Sequence, residues 1–278
     1  MPRLFQPSNS YVLWLAGLIS LFIGLCFNLQ DQTMPDNMYW MLDCCTIQRK
    51  QLLSVILLTV GILFVCSAMS FLFQCKKTKK FIAKLNLYNT DCYESNGIEV
   101  FQQKYSVQIQ VVDYPQPLAF TYGFIHPQIL VSTSLINLLK QNELEAVLEH
   151  EYCHFQNRDP FKLSIWLSIA RVFSFLPISQ KLYERYSMEK EIKADTFAIQ
   201  KVGMKAVASA LYKLMTNVPS SSFAMAHFQN PAFQDTNMRI EVLLTGIYKR
   251  PSISLLEWMR SIIYILFIAS LIGCVSLL

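Results

Sequence analysis

Two histidines four residues apart, His150 and His154 in the run HEYCH at 150–154, are the residues most able to do chemistry in this chain. On a helix that spacing stacks both imidazoles on one face, one turn apart, where they can share one metal ion. Neutral imidazole suits zinc, and a catalytic zinc takes three protein ligands and a water. Glu151 lies off the ligand face yet within reach of that water, so it is the expected general base. Cys153 is taken to point away from the ligand face and is read as packing. A third ligand is expected from another helix. The run Glu189-Lys190-Glu191-Ile192-Lys193-Ala194-Asp195 offers it. Glu191 and Asp195 are one turn apart, so Glu191 can bind the metal while Asp195 holds the second ring nitrogen of a ligand histidine. Glu189 is the competing ligand, and on periodicity alone the whole run also reads as a charged helix face.

The elements that must position these residues are partly legible. Gln141 to Asn157 holds strong helix formers, with Leu144, Val147 and Leu148 along one side. Asp159-Pro160 should end it, since a residue before proline avoids helical backbone, and Asp159 is expected to cap the next helix. VQIQVV at 107–112 alternates and predicts a strand, 129–131 predicts a second, and a helix should start near Thr133. Tyr122 and His126 lie in the loop-rich stretch between those strands; neither is singled out for chemistry.

The composition points to a bilayer. Apolar residues make up 53% of the 278 and charged residues only 15%, with a mean hydropathy of +0.31. A soluble domain of this size carries nearer a quarter charged residues. Uncharged runs at 11–29 and 52–73 are each about long enough to cross a membrane, and 253–278 is a third expected span, free of charge from 261 to 278. Lys76, Lys77, Lys79 and Lys80 follow the second run, and Lys249, Arg250 and Arg260 precede or open the third. Basic flanks mark the cytoplasmic side, so residues 76–250 are expected to face the cytoplasm, although Arg49 and Lys50 count mildly against that orientation. The stretch 161–178 is apolar but contains Lys162 and Arg171, and is expected to be a buried or membrane-surface helix rather than a span. The net charge of +5 is modest, so direct nucleic-acid binding is not expected. Eight cysteines form no CxxC pair, which argues against a zinc ribbon or a thioredoxin-type site. Cys44 and Cys45 are assigned to the loop between the first two spans.

Glu143 to Asp159 resembles the zinc helix of BlaR/MecR-type antirepressor metallopeptidases. Pro117 to Leu135 is similar to the substrate-edge strand that precedes it in that family. ExxAD at 191–195 resembles the third-ligand helix shared with HtpX-type membrane peptidases. Asn230-Pro231 with Arg239-Ile240 is similar to a late HP…RI element of the latter, with asparagine in place of its histidine. The resemblance implies a mainly α-helical membrane protein with a zincin-like α+β metallopeptidase domain and a small edge sheet, flanked by transmembrane helices. It implies one zinc held by His150, His154 and Glu191, with Glu151 as catalytic base, Asp195 behind a ligand, and Arg239 binding the substrate or polarising its carbonyl. It also implies cleavage of a cytoplasmic protein, often a transcriptional repressor, together with self-cleavage. A quality-control peptidase of the HtpX kind and a non-catalytic zinc-binding membrane scaffold are the alternatives.

Overall fold

The computed structural model describes residues 40–86, 96–217, 236–246, 248 and 252–277. The expected span at 11–29, His227 and the Asn230-Pro231 pair lie outside them. Contacts divide the chain into residues 63–261 on one hand and residues 1–62 with 262–278 on the other. The described residues are mostly helical, with one small sheet.

Helix α1 runs unbroken from Trp40 to Asn86. It therefore starts earlier and ends later than the span expected at 52–73, and Cys44 and Cys45 lie in helix rather than loop. No proline or glycine stands near either expected boundary, and the lysines after residue 75 are good helix formers, so nothing in the backbone stops the helix there. Leu57–Leu85 is long and apolar enough to cross a membrane by length and composition. At its far end Phe81, Ile82 and Leu85 pack on the sheet, and Gln74 Nε2 donates to Ser168 Oγ at 2.7 Å. Helix α9, Leu255–Leu277, occupies the position of the third expected span.

Between α1 and the site come α2 (Asn96–Tyr105) and three strands: β1 (Ile109–Val112), β2 (Ala119–Tyr122) and β3 (Gln128–Ser132). The order is β1-β3-β2, with β1 parallel and β2 antiparallel to the central β3. Alternation decides which residue serves which face. Ile109, Ile129 and Val131 join the core beneath the histidine helix, while Val112 and Leu130 face Leu85. Ser132 ends β3, and its hydroxyl accepts from Leu135 N, capping α3 (Thr133–Leu138).

Helix α4, Gln141–Asn157, is the centre of the unit. Leu144, Leu148 and Tyr152 enter the core against the sheet and α2. At its start Glu143 accepts from Lys140 N at 2.8 Å and pairs with Lys213 (2.6 Å) and Ser209 (2.6 Å) of α7 (Met204–Asn217). Arg158 ends α4 in left-handed backbone, φ 51°, and α5 (Asp159–Val172) follows at once. The stretch expected as one apolar helix at 161–178 is thus broken at residues 173–176, where α6 (Pro177–Val202) takes over. At 14 residues α5 is about 21 Å long, short of a roughly 30 Å hydrocarbon core. Helix α6 lies against α4, where Ala146, Ala194 and Ala198 are almost completely buried. Small side chains there let the two backbones come close. Helix α8, Thr236–Thr245, sends Leu243 into the cluster of Ala146, Ala198, Val207 and Leu211.

Two predictions test this framework. Gly123 turns β2 towards β3 at φ +94°, and a Cβ there would run into the His126 carbonyl. Gly123→Ala should cost more than about 1 kcal/mol and lower the melting temperature. Burial alone would raise the Glu143 carboxyl, but hydrogen bonds from Lys213, Ser209 and the Lys140 backbone take it from 4.5 down to about 2. A carboxyl lowered on folding stabilises the fold above its unfolded value and stops doing so as pH falls through the folded one. Glu143→Gln should therefore lose about 1.5–3 kcal/mol at neutral pH, with the deficit closing between about pH 4.5 and pH 2 in thermal melts.

Candidate active site

Helix α4 places His150 and His154 so that their Nε2 atoms are 3.2 Å apart. Glu191, one helix away on α6, completes the group: Oε2 is 3.4 Å from His150 Nε2 and Oε1 is 3.6 Å from His154 Nε2. These three side chains can hold a metal ion. Glu189 points elsewhere, to Arg185 at 3.3 Å.

The other ring nitrogens decide what the group can hold. His150 Nδ1 is 2.9 Å from Asp195 Oδ1, and His154 Nδ1 is 3.0 Å from Asp159 Oδ2. An ionised carboxylate only accepts, so each Nδ1 carries a proton and Nε2 is the atom each ring turns inward. Two imidazole Nε2 atoms and a carboxylate so close together suit a cation between them, a proton or a metal ion. Ligands at about 2.0–2.2 Å around a tetrahedral zinc stand roughly 3.3–3.6 Å from one another, which the observed spacings match. The residues present therefore fit zinc.

Both carboxylates behind the histidines are held ionised. Burial opposes charge on Asp195, but the Arg239 guanidinium and His150 keep its carboxyl well below the usual range. Arg239 Nε donates to Oδ2 at 2.8 Å and Nη2 to Oδ1 at 2.6 Å, while Nη1 sits 3.3 Å from Glu191 Oε2. Asp159 is likewise lowered against the effect of burial, by His154 and by Lys190 at 2.9 Å. Burial also opposes charge on Glu191, which His150, His154 and Arg239 nevertheless bring down to about 2. The His150 ring is partly buried, which opposes its charge, yet its bonds to Asp195 and Glu191 raise it to about 10, so protons compete with metal for this ligand.

Glu151 is buried beside the group, and the Thr121 hydroxyl of β2 lies 2.9 Å from its Oε2 and 2.8 Å from its backbone oxygen. Cys153 is buried, which raises its thiol, and its sulfur lies 3.4 Å from Asn157 Nδ2. Tyr122 hydrogen-bonds Gln110 at 2.7 Å, and His126 is exposed.

The structure brings His150, Glu151, His154, Glu191, Asp195 and Arg239 into one cluster. Three members escaped sequence reading. Asp159 is not the expected cap: α5 is preceded by Arg158 in left-handed backbone, with no side-chain cap bond, and this turn aims the Asp159 carboxylate back at His154. Its place five residues after His154 was the available signal. Lys190 and Thr121 gave none, being common residues on a charged helix and a short strand. If these carboxylates orient the rings, Asp159→Ala and Asp195→Ala should each weaken zinc binding about 10- to 100-fold, read by chelator competition.

Residues 95–220 match the family described as Peptidase family M48. The chain is similar to "Regulatory protein BlaR1" of Staphylococcus aureus, 27% identical over 149 residues that make up 50% of this chain and 25% of that protein. It is also similar to "Protease HtpX homolog" of Pelotomaculum thermopropionicum, 43% identical over 54 residues, 19% of each chain. A further "Protease HtpX homolog", of Thermodesulfovibrio yellowstonii, is 34% identical over 71 residues, 25% of each chain. The chain thus spans a quarter or less of the length of these curated relatives. Both resemblances drawn from the motifs are borne out. The histidine helix, the Glu191 helix and the sheet all lie inside residues 95–220, the segment that is similar to peptidase family M48.

Proposed function

We propose that this chain is a membrane-anchored zinc endopeptidase that cleaves a cytoplasmic protein. The observation that carries the reading is the pair of inward Nε2 atoms of His150 and His154, 3.2 Å apart and closed by Glu191, with a buried glutamate alongside. Bound zinc would supply a Lewis acid that makes water acidic near neutral pH and polarises a carbonyl. His150, His154 and Glu191 would hold it, with Asp195 and Asp159 fixing the rings. Arg239 pairs with Asp195 and Glu191, and its part is to keep both ionised and in place. Glu151 takes the proton of the attacking water on its carboxylate and returns it to the leaving amine nitrogen. Strand β2 has no partner on its outer side among the described residues, so it offers backbone groups to an extended peptide.

The apolar segment Leu57–Leu85 and the lysines at 76–80 support anchoring by α1 with the metal domain, about 76–250, on the cytoplasmic side. Spans at 11–29, 52–73 and 253–278 complete the proposed topology. The similarity to a protein named as regulatory supports a transcriptional repressor as substrate, with self-cleavage as a second reaction. The similarity to proteins named as proteases of the HtpX kind supports the second reading, a quality-control peptidase.

Purified wild type and Glu151→Gln should each carry one zinc per chain. Cleavage of a fluorogenic casein, or of the chain itself, should fall about 10²- to 10⁴-fold in the variant. Equal zinc with no cleavage by either protein would point to a scaffold. Chains that take up no zinc would overturn the reading.

A further inference from the structure

A buried hydroxyl on β2 has no obvious reason to be there. Thr121 is 4% exposed on a strand whose alternation turns it and Ala119 towards α4, while Phe120 and Tyr122 face the opposite cluster. A valine would pack as well in an apolar setting. The hydroxyl instead meets two acceptors of a single residue, the Glu151 backbone oxygen at 2.8 Å and its carboxylate Oε2 at 2.9 Å.

We infer that Thr121 is a positioning residue for the reaction, holding the Glu151 carboxyl in its working orientation from the edge strand. The inference rests on the proposed peptidase reading. A hydroxyl has one proton and two lone pairs. When Glu151 is ionised, the Thr121 proton can point to Oε2. When Glu151 has taken the proton of the water on its other oxygen, Oε2 is still an acceptor and the Thr121 hydroxyl can keep its bond there, with the backbone oxygen 2.8 Å away as its second acceptor. The same pair of contacts thus serves both charge states, and no other group has to move. The β-branched side chain has few rotamers, so the hydroxyl itself is held in place by the strand. Oε1 is left to meet the water. Because β2 is also the strand open to an extended peptide, the contact joins the substrate-binding edge directly to the base.

The test compares full-length wild type, Thr121→Val and Thr121→Ser, with Glu151→Gln alongside. It measures kcat and KM on a fluorogenic casein, together with zinc content and melting temperature. Valine keeps the shape and removes the hydroxyl; serine restores it. The expected result is a kcat about 10- to 100-fold lower for Thr121→Val, with KM within twofold. Its zinc content and melting temperature should match wild type, and Thr121→Ser should recover most of the rate. Wild-type kcat in Thr121→Val overturns the proposal and leaves the peptidase reading intact. A loss of zinc or melting temperature that parallels the loss of rate, in both variants, means a structural role and also overturns it. If wild type shows no cleavage that depends on Glu151, the peptidase reading fails and the inference falls with it.

Discussion

Two imidazole Nε2 atoms 3.2 Å apart and facing a carboxylate form an arrangement that calls for a positive charge at its centre. Left alone, the rings could turn, and His150 is raised so that it holds a proton there. What prevents turning is a carboxylate behind each ring, and what keeps those carboxylates charged is a cation behind each of them, Arg239 for Asp195 and Lys190 for Asp159. Charge therefore alternates outward from the centre: metal position, ring, carboxylate, cation. Each layer makes the burial of the one inside it tolerable, since a buried charge stripped of its partner costs several kcal/mol.

The fold can be understood as the means of bringing those layers together. Helix α4 fixes the histidines by its own period, and its apolar side is spent on the sheet and α2. The carboxylate helix must come close enough for Glu191 to reach both rings, and the alanines at 146, 194 and 198 leave room for that approach. Helix α8 then brings Arg239, 44 residues away in sequence from Asp195. Even the break between α4 and α5 belongs to the site: the left-handed Arg158 ends one helix and in the same step directs Asp159 to His154.

The sheet does more than support. Its central strand is buried from Ile129 to Ser132, which pins the register, and its edge strand places one hydroxyl against the glutamate beside the histidines. The outer cluster of Phe81, Leu85, Val112 and Leu130 ties the same sheet to the end of the long apolar helix. The metal group and the helix most able to enter a bilayer are thus connected through one layer of packed side chains.

Local pattern was enough for some of this. The spacing of His150 and His154, the helix-forming run around them and the ExxAD spacing each lie within a turn or two, and there the helical period dictates which side chains share a face. The strands at 107–112 and 129–131 were legible from alternation in the same way. Helix limits were less so. The long α1 ran through residues expected as loop, because a helix stops only where a breaker or a cap stops it, and none stands there. What only the tertiary structure decided was partnership between distant residues: Glu191 rather than Glu189 at the histidines, Arg239 on Asp195, Thr121 on Glu151. Asp159 shows the reason most plainly. Beside a proline it is chemically suited to cap a helix, and its spacing from His154 is by itself too weak a signal to override that role. The choice fell to backbone direction at Arg158 and to Lys190 arriving from another helix, and both depend on how the whole unit packs.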